Sequence, residues 1–398
     1  MKKITEILAD TAYVRTGGSG EELRCAEYIA AQCEAMGLAA SMEPFELPMY
    51  TVTEVSLTVN GRSIPCKGLY NTGSGRVMGE LYYLTNTDAC SMAKCRNKIV
   101  LVDALGPKRY RELVAGGALG VITYNGDVNH PHRDIDQREV RELTAEESRI
   151  PGVIINAKDA VALAEGGMAE ILLSQETAAG CSHNVMVDLP GEAEEMILFS
   201  AHYDSTSLSQ GAYDNMSGCI AQLYLAEYFA AMPRHYGIRF LWCGAEERGL
   251  LGSKAYCAAH DLSKLVLNIN LDMLGCIMGK FTAFATCNEK AKHYLECVAA
   301  EEGFGLESKF GIRSSDSNSF ADQGVPAISF VRYAPATAAP IHNRYDTAAV
   351  MSEERLLGDI GFIAAFTRRL VGAKQFPLDR EIPPSIREEL DAYFRRRS

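Results

Sequence analysis

The chain has 398 residues, enough for roughly two to three domains, and its 47% hydrophobic and 23% charged content is that of a globular protein, not a disordered, collagen-like or coiled-coil one. Its 39 Lys and Arg against 51 Asp and Glu give a formal charge of -12, which repels a phosphate backbone and makes nucleic acid an unexpected partner. Apolar runs such as 197–199 and 363–366 fall far short of the ~20 residues that cross a bilayer, and Glu6, Asp10 and Arg15 interrupt the stretch where a secretory signal needs its apolar core; no membrane partner and a cytoplasmic location are expected.

Residues 20–38 place Leu23, Ala26, Ile29, Ala30, Cys33 and Met36 at the spacing of an amphipathic helix, ended at Gly37. From residue 52 short β-type runs follow at 55–59, 81–84, 99–102, 121–124 and 153–155, punctuated by Gly, Asn and Asp. They predict a β-rich module over 52–183, inserted between 1–51 and 184–398. Within it the charged stretch 130–149 reads as a solvated loop, and His130 and His132 as surface residues. After residue 184 the rhythm changes to apolar strands at 197–201, 238–243, 266–271 and 327–331, alternating with helices at 216–231, 252–260, 288–302 and 353–371. That alternation predicts an α/β fold: a mostly parallel sheet, buried and flanked by helices on both faces. The tail 380–397, ending in Arg395, Arg396 and Arg397, reads as a solvated, fraying helix. The twelve cysteines include no Cys-x-x-Cys pair, and Cys219, Cys243 and Cys297 sit in apolar patterns as reduced core residues.

In a parallel α/β sheet, ligands bind at the C-terminal strand ends, and five segments put acids or histidines there: 200–204 with His202 and Asp204, 211–215 with Asp214, 244–249 with Glu246 and Glu247, 270–273 with Asp272, and 340–343 with His342. Each alone has a bland reading. His202 could be a satisfied strand-end histidine, Asp214 a helix cap, and Glu246-Glu247 a solvated helix start. Together they are harder to dismiss, because clustered carboxylates in a water-poor crevice raise one another's pKa and call for positive charge. Two imidazoles with carboxylates and no thiolate suit zinc or a similar divalent ion, and two ions ~3.5–4 Å apart, bridged by one carboxylate, accommodate the set.

These segments, in this order and spacing, resemble the M28 metallopeptidases over about 184–350; residues 1–50 are similar to the N-terminal helix and first strand of such domains. The stretch 52–183, with Lys98 to Asp103 and Ala115 to Ile122, resembles the protease-associated (PA) insert of some members. The resemblance implies the zinc-exopeptidase fold, two Zn2+ ions bridged by Asp214, with His202 and Asp272 on one and Glu247 and His342 on the other, Glu246 as general base, and Asp204 orienting His202. It further implies an aminopeptidase acting on peptides with a free N-terminus: the ions lower the pKa of a water, Glu246 takes its proton, and the same group later protonates the leaving amine. One departure stands out. Members often carry Ser-Asp-His before a Phe, whereas this chain reads Ser315-Asp316-Ser317-Asn318-Ser319-Phe320. Arg313, Arg332 and Arg344 flank the site-bearing loops as candidate ligands for a substrate carboxylate, which keeps open a carboxypeptidase or dipeptidase. A binding protein that lost the chemistry is the remaining alternative, although neither Glu246 nor any ligand is substituted.

Overall fold

Residues 2–394 of the computed structural model are described here; Arg395, Arg396 and Arg397 lie outside them. The four apolar runs after residue 184 become the strands Met196–His202, Gly237–Cys243, Leu265–Leu271 and Ala327–Tyr333. All four run parallel, in the spatial order Ala327–Tyr333, Leu265–Leu271, Met196–His202, Gly237–Cys243. The chain therefore leaves Met196–His202 to build the sheet first on one side and then on the other, and this reversal marks the crevice where α/β sheets bind ligands. Along that strand Ile197, Phe199 and Ala201 enter one apolar cluster, with the helices Ser217–Ala230, Glu289–Glu301 and Glu353–Val371, while Leu198 enters another, with Tyr256 and Phe320. Burial on both faces is why these strands read as unbroken apolar runs.

The expected alternation omits part of the sheet. Lys280–Thr286 pairs antiparallel with Ala327–Tyr333, Glu307–Phe310 pairs with Lys280–Thr286, and the end of Gly167–Leu189 pairs antiparallel with Gly237–Cys243. Ser317–Asp322 forms a further short helix. The tail is a helix, Pro384–Tyr393, but not a wholly solvated one, since Ile386 and Leu390 bury against Ala321 and Ala327. Every cysteine is free; Cys219 and Cys243 are buried as expected, whereas Cys297 is exposed.

Two compact units make up the chain: Met1–Leu47 with Cys181–Ser398, and Pro48–Gly180. Their limits fall a few residues before the expected 51/52 and 183/184, within the long strands Ala40–Val59 and Gly167–Leu189, where composition does not change. The second unit contains parallel strands Gly75–Tyr83, Lys98–Val102, Gly120–Asn125 and Gly152–Asn156, interleaved with the helices Ala89–Ala93, Pro107–Ala115 and Ala157–Leu163 that the β-type texture hides. Ile99 and Leu101 face one cluster, Val100 and Val102 the other. Asn60 and Gly61, both at positive φ, close a two-residue hairpin between Val59 and Arg62, as that dipeptide favours. The stretch 130–149 is not a solvated excursion: Ile135 and Val140 are buried, and Asn71 Nδ2 donates to the Val140 carbonyl at 2.7 Å.

The helix Ser217–Ala230 starts hard against the sheet. A Cβ at Gly218 would lie 2.2 Å from the Leu271 carbonyl oxygen. Helix propensity alone makes Gly218→Ala stabilising by about 1 kcal/mol, but overpacking against backbone costs about 1–3 kcal/mol. The substitution is expected to lower Tm by several degrees, and a scanning-calorimetry Tm at or above wild type would refute this packing argument.

Candidate metal centre and active site

Because the four strands are parallel, their C-terminal ends share one edge, and the chain delivers its acids and imidazoles there. His202 ends its strand; Asp214 follows in the next loop, Glu246 and Glu247 follow Gly237–Cys243, Asp272 follows Leu265–Leu271, and His342 lies on the loop after Ala327–Tyr333. Ligand atoms of His202, Asp214 and Asp272 lie within 4.8 Å of one another, and so do those of Asp214, Glu247 and His342. Asp214 belongs to both groups and divides its oxygens between them, Oδ1 lying 3.2 Å from His202 Nε2 and Oδ2 3.1 Å from His342 Nε2. Glu247 Oε1 is 2.9 Å from His342 Nε2.

The surroundings orient each side chain. Asp204 is fully buried; its Oδ1 lies 3.3 Å from His202 Nδ1, which leaves Nε2 for the cluster. The same carboxylate accepts from the backbone N–H groups of Glu246, at 2.9 Å, and Glu247, at 3.1 Å. Asp272 gives Oδ2 to Arg313 Nη1 and, at 2.6 Å, to the Ser315 hydroxyl, so that Oδ1 turns towards His202 and accepts no hydrogen bond. Asn270 Nδ2 in turn donates to Ser315 Oγ at 2.8 Å. Asp346 accepts from the N–H groups of Tyr213, at 2.7 Å, and Asp214, at 3.1 Å. Arg15, buried in front of the helix Gly20–Ala35, donates to the carbonyls of Tyr203, Gln210 and Gly211, pinning the segments that carry Asp204 and Asp214. Four residues here, Ala245, Leu250, Met273 and His342, have positive φ without being glycine, a conformation that costs of order 1–3 kcal/mol and collects at functional sites.

Sequence reasoning missed Asp346, Arg15 and Ser315 as supports; each acts through the backbone or through another side chain, and although Asp346 and Ser315 stand within segments compared with the M28 pattern, that placement names no partner for them. Two of the three arginine candidates need correcting. Arg313 is spent on Asp272 and Arg332 on Asp359, both as buried ion pairs, because a buried carboxylate and a buried guanidinium each demand a partner; neither is positioned to take a substrate carboxylate. Arg344 is exposed on the loop that carries His342. Ser317, where the M28 resemblance leads one to expect His, is buried, and its hydroxyl accepts from Ser329 at 2.8 Å.

Electrostatics explain what the cluster is missing. Burial opposes charge on His342, yet the carboxylates of Glu247 and Asp214 hold its pKa up to about 11. His202, also buried, is held well above the usual range by Glu246 and by Asp204, Asp214 and Asp272. Glu246 is raised by burial and by the charges of Glu247, Asp316 and Asp272, with His202 opposing. Burial, with other acids adding, pushes Asp316 to about 6, and burial with the charge of Asp214 pushes Asp346 to about 7. Protons thus stand where cations are wanted. Two imidazole nitrogens, carboxylate oxygens, no thiolate and an unpartnered Asp272 oxygen fit zinc.

Comparison with known proteins agrees with this chemistry. The family model for Peptidase family M28 matches residues 184–366, and that for the PA domain matches 77–163. The chain is 27% identical over 381 residues to Aminopeptidase YwaD of Bacillus subtilis (strain 168), covering 90% of this chain and 82% of that one. It is 28% identical over 277 residues to Leucine aminopeptidase 2 of Trichophyton rubrum, covering 65% and 54%, so it spans about half of that relative's length. Among solved structures, BSAP, a zinc aminopeptidase from Bacillus subtilis, superposes with a TM-score of 0.78 at 24% identity over 95% of this chain and 96% of that one, a likeness of fold.

The surrounding carboxylates raise the pKa of both imidazoles in the metal-free protein, and ligation requires them neutral. Zinc loading at pH 7 is therefore expected to release protons, from these imidazoles and from the acids that burial has raised, and affinity should fall as pH drops. Calorimetric titrations in buffers of different ionisation enthalpy measure that release; a buffer-independent heat would count against these two histidines as ligands.

Proposed function

We propose that this chain is a zinc-dependent aminopeptidase of peptidase family M28, whose model matches residues 184–366, with a PA domain at 77–163, and that it releases N-terminal residues from peptides. The observation that carries the reading is Asp214 shared between two ligand groups, with Glu246 beside them. Two zinc ions, held by His202 with Asp272 and by Glu247 with His342 and joined through Asp214, would supply Lewis acidity to the scissile carbonyl and to water.

The remaining work falls to the chain's own side chains. Glu246, whose proton affinity is raised by burial, accepts the proton of the attacking water and returns it to the leaving amine nitrogen, so one group serves as base and then as acid. Asp204 fixes the imidazole of His202 and the backbone under Glu246. Arg313 offsets the charge of Asp272, and Asp346 holds the backbone that presents Asp214. Arg313 and Arg332 are engaged elsewhere, which favours cleavage from the N-terminus over a carboxypeptidase or dipeptidase. The relatives named as aminopeptidases support the same choice.

A panel of Xaa-p-nitroanilides and their N-acetylated counterparts, with zinc supplied or chelated, tests the proposal. Only the free-amine compounds should be cleaved, and chelation should abolish the reaction. Glu246→Gln should lower kcat by about 10²–10⁴-fold while retaining bound zinc. Hydrolysis of C-terminally free dipeptides in place of the p-nitroanilides would hand the assignment to the dipeptidase reading.

A further inference from the structure

Glu22 is a buried acid that the mechanism above does not use. It lies on the N-terminal helix Gly20–Ala35 and is 1% exposed. A glutamate at this point of a first turn ordinarily folds back on its own helix start. Glu22 does so with one oxygen only, Oε2 accepting from the Gly18 N–H at 2.6 Å. Its other oxygen, Oε1, accepts from the N–H of Ala245 at 2.8 Å, across 223 residues of sequence. Ala245 immediately precedes Glu246, and the next two N–H groups, of Glu246 and Glu247, go to the two oxygens of Asp204. Three successive amides are thus held by two buried carboxylates, in a turn whose first residue, Ala245, is left-handed at φ 52°.

The packing is shaped to allow this. A Cβ at Gly244 would lie 3.0 Å from Glu22 Oε1, and one at Gly17 would lie 2.7 Å from Ala245 Cβ and 2.9 Å from its Cα; glycine at both places lets the N-terminal segment close on the turn. We propose, building on the aminopeptidase reading, that Glu22 is a positioning residue for Glu246, fixing through the Ala245 N–H the backbone that aims the general base. Being buried, it does not touch substrate. Its neighbour in space, Asp204, orients the same turn, so the base is aimed by one carboxylate from its own sheet and one from the far end of the sequence.

Glu22→Gln keeps the shape but leaves one acceptor oxygen for two N–H donors. In the zinc-loaded protein it should lower kcat on the best free-amine p-nitroanilide by about ten- to hundredfold, the scale of a small misplacement of a catalytic group, with KM and bound zinc unchanged. Amide hydrogen exchange over 244–250 should speed up while that of the helix Gly20–Ala35 does not. A purely structural Glu22 would instead lower Tm, loosen the helix and leave kcat of the folded protein alone. Unchanged kcat together with unchanged exchange over 244–250 overturns the proposal. If Glu22→Gln does not fold, Glu22→Asp keeps the acid but draws it back from the Ala245 N–H and should show the same isolated loss of kcat; wild-type kcat with unchanged exchange over 244–250 in that variant overturns the proposal equally. If the wild-type zinc protein cleaves no compound of the panel, the aminopeptidase reading is what fails, and the exchange comparison still decides whether Glu22 holds the turn.

Discussion

Like charge at close quarters governs this molecule. Asp204, Asp214, Glu246, Glu247, Asp272, Asp316 and Asp346 converge on one edge of a sheet, most of them buried; burial and like charge raise the proton affinity of Glu246, Asp316 and Asp346, while the neighbouring imidazoles and Arg313 hold Asp214 and Asp272 low. The fold answers in three ways. Backbone N–H groups bind Asp204 and Asp346, a buried guanidinium binds Asp272, and the oxygens that remain face imidazoles and, when zinc is bound, cations. The groups tied to the protein are the ones proposed to orient, and the groups facing the imidazoles are the ones proposed to ligate. Asp272 shows the division within a single side chain, one oxygen for Arg313 and Ser315, the other for the cluster.

Much of this is legible in the sequence for a physical reason. A strand buried on both faces must be apolar throughout, so 197–201, 238–243, 266–271 and 327–331 announce themselves, and an acid or histidine directly after such a run has no packing reason to be there. That is how His202, Glu246, Glu247 and Asp272 are found. Elements with weaker demands stay hidden. Lys280–Thr286 mixes Lys and Thr with Phe and Ala, Glu307–Phe310 has two charged residues in four, and the helices of the second unit are five to nine residues long, too short for a period to stand out. The stretch 130–149 misleads because its charge count conceals two anchors, Ile135 and Val140.

The supporting residues are illegible for a different reason. Arg15, Ser315 and Asp346 hold backbone or a neighbour's side chain, and their partners are chosen by the fold, not by spacing. The arginine candidates show the converse error: flanking a site-bearing loop in sequence says nothing about where a guanidinium finds its carboxylate, and for Arg313 and Arg332 the nearest unmet demand lies inside the protein.

The reach of Arg15 also constrains the order in which the protein can be made. Its acceptor at Tyr203 lies 188 residues downstream and that at Gly211 lies 196, with the whole of Pro48–Gly180 between. At ribosomal speeds of ~5–20 residues per second, roughly 10–40 s pass between the emergence of that arginine and of the carbonyls it clamps. The interposed unit is continuous in sequence and is complete before then. The helix Gly20–Ala35, with Cys25, Ala26, Ile29 and Cys33 along its apolar side, must wait through that interval for the strands it covers, so nascent chains stalled between residues 181 and 203 carry the apolar surface most in need of a chaperone.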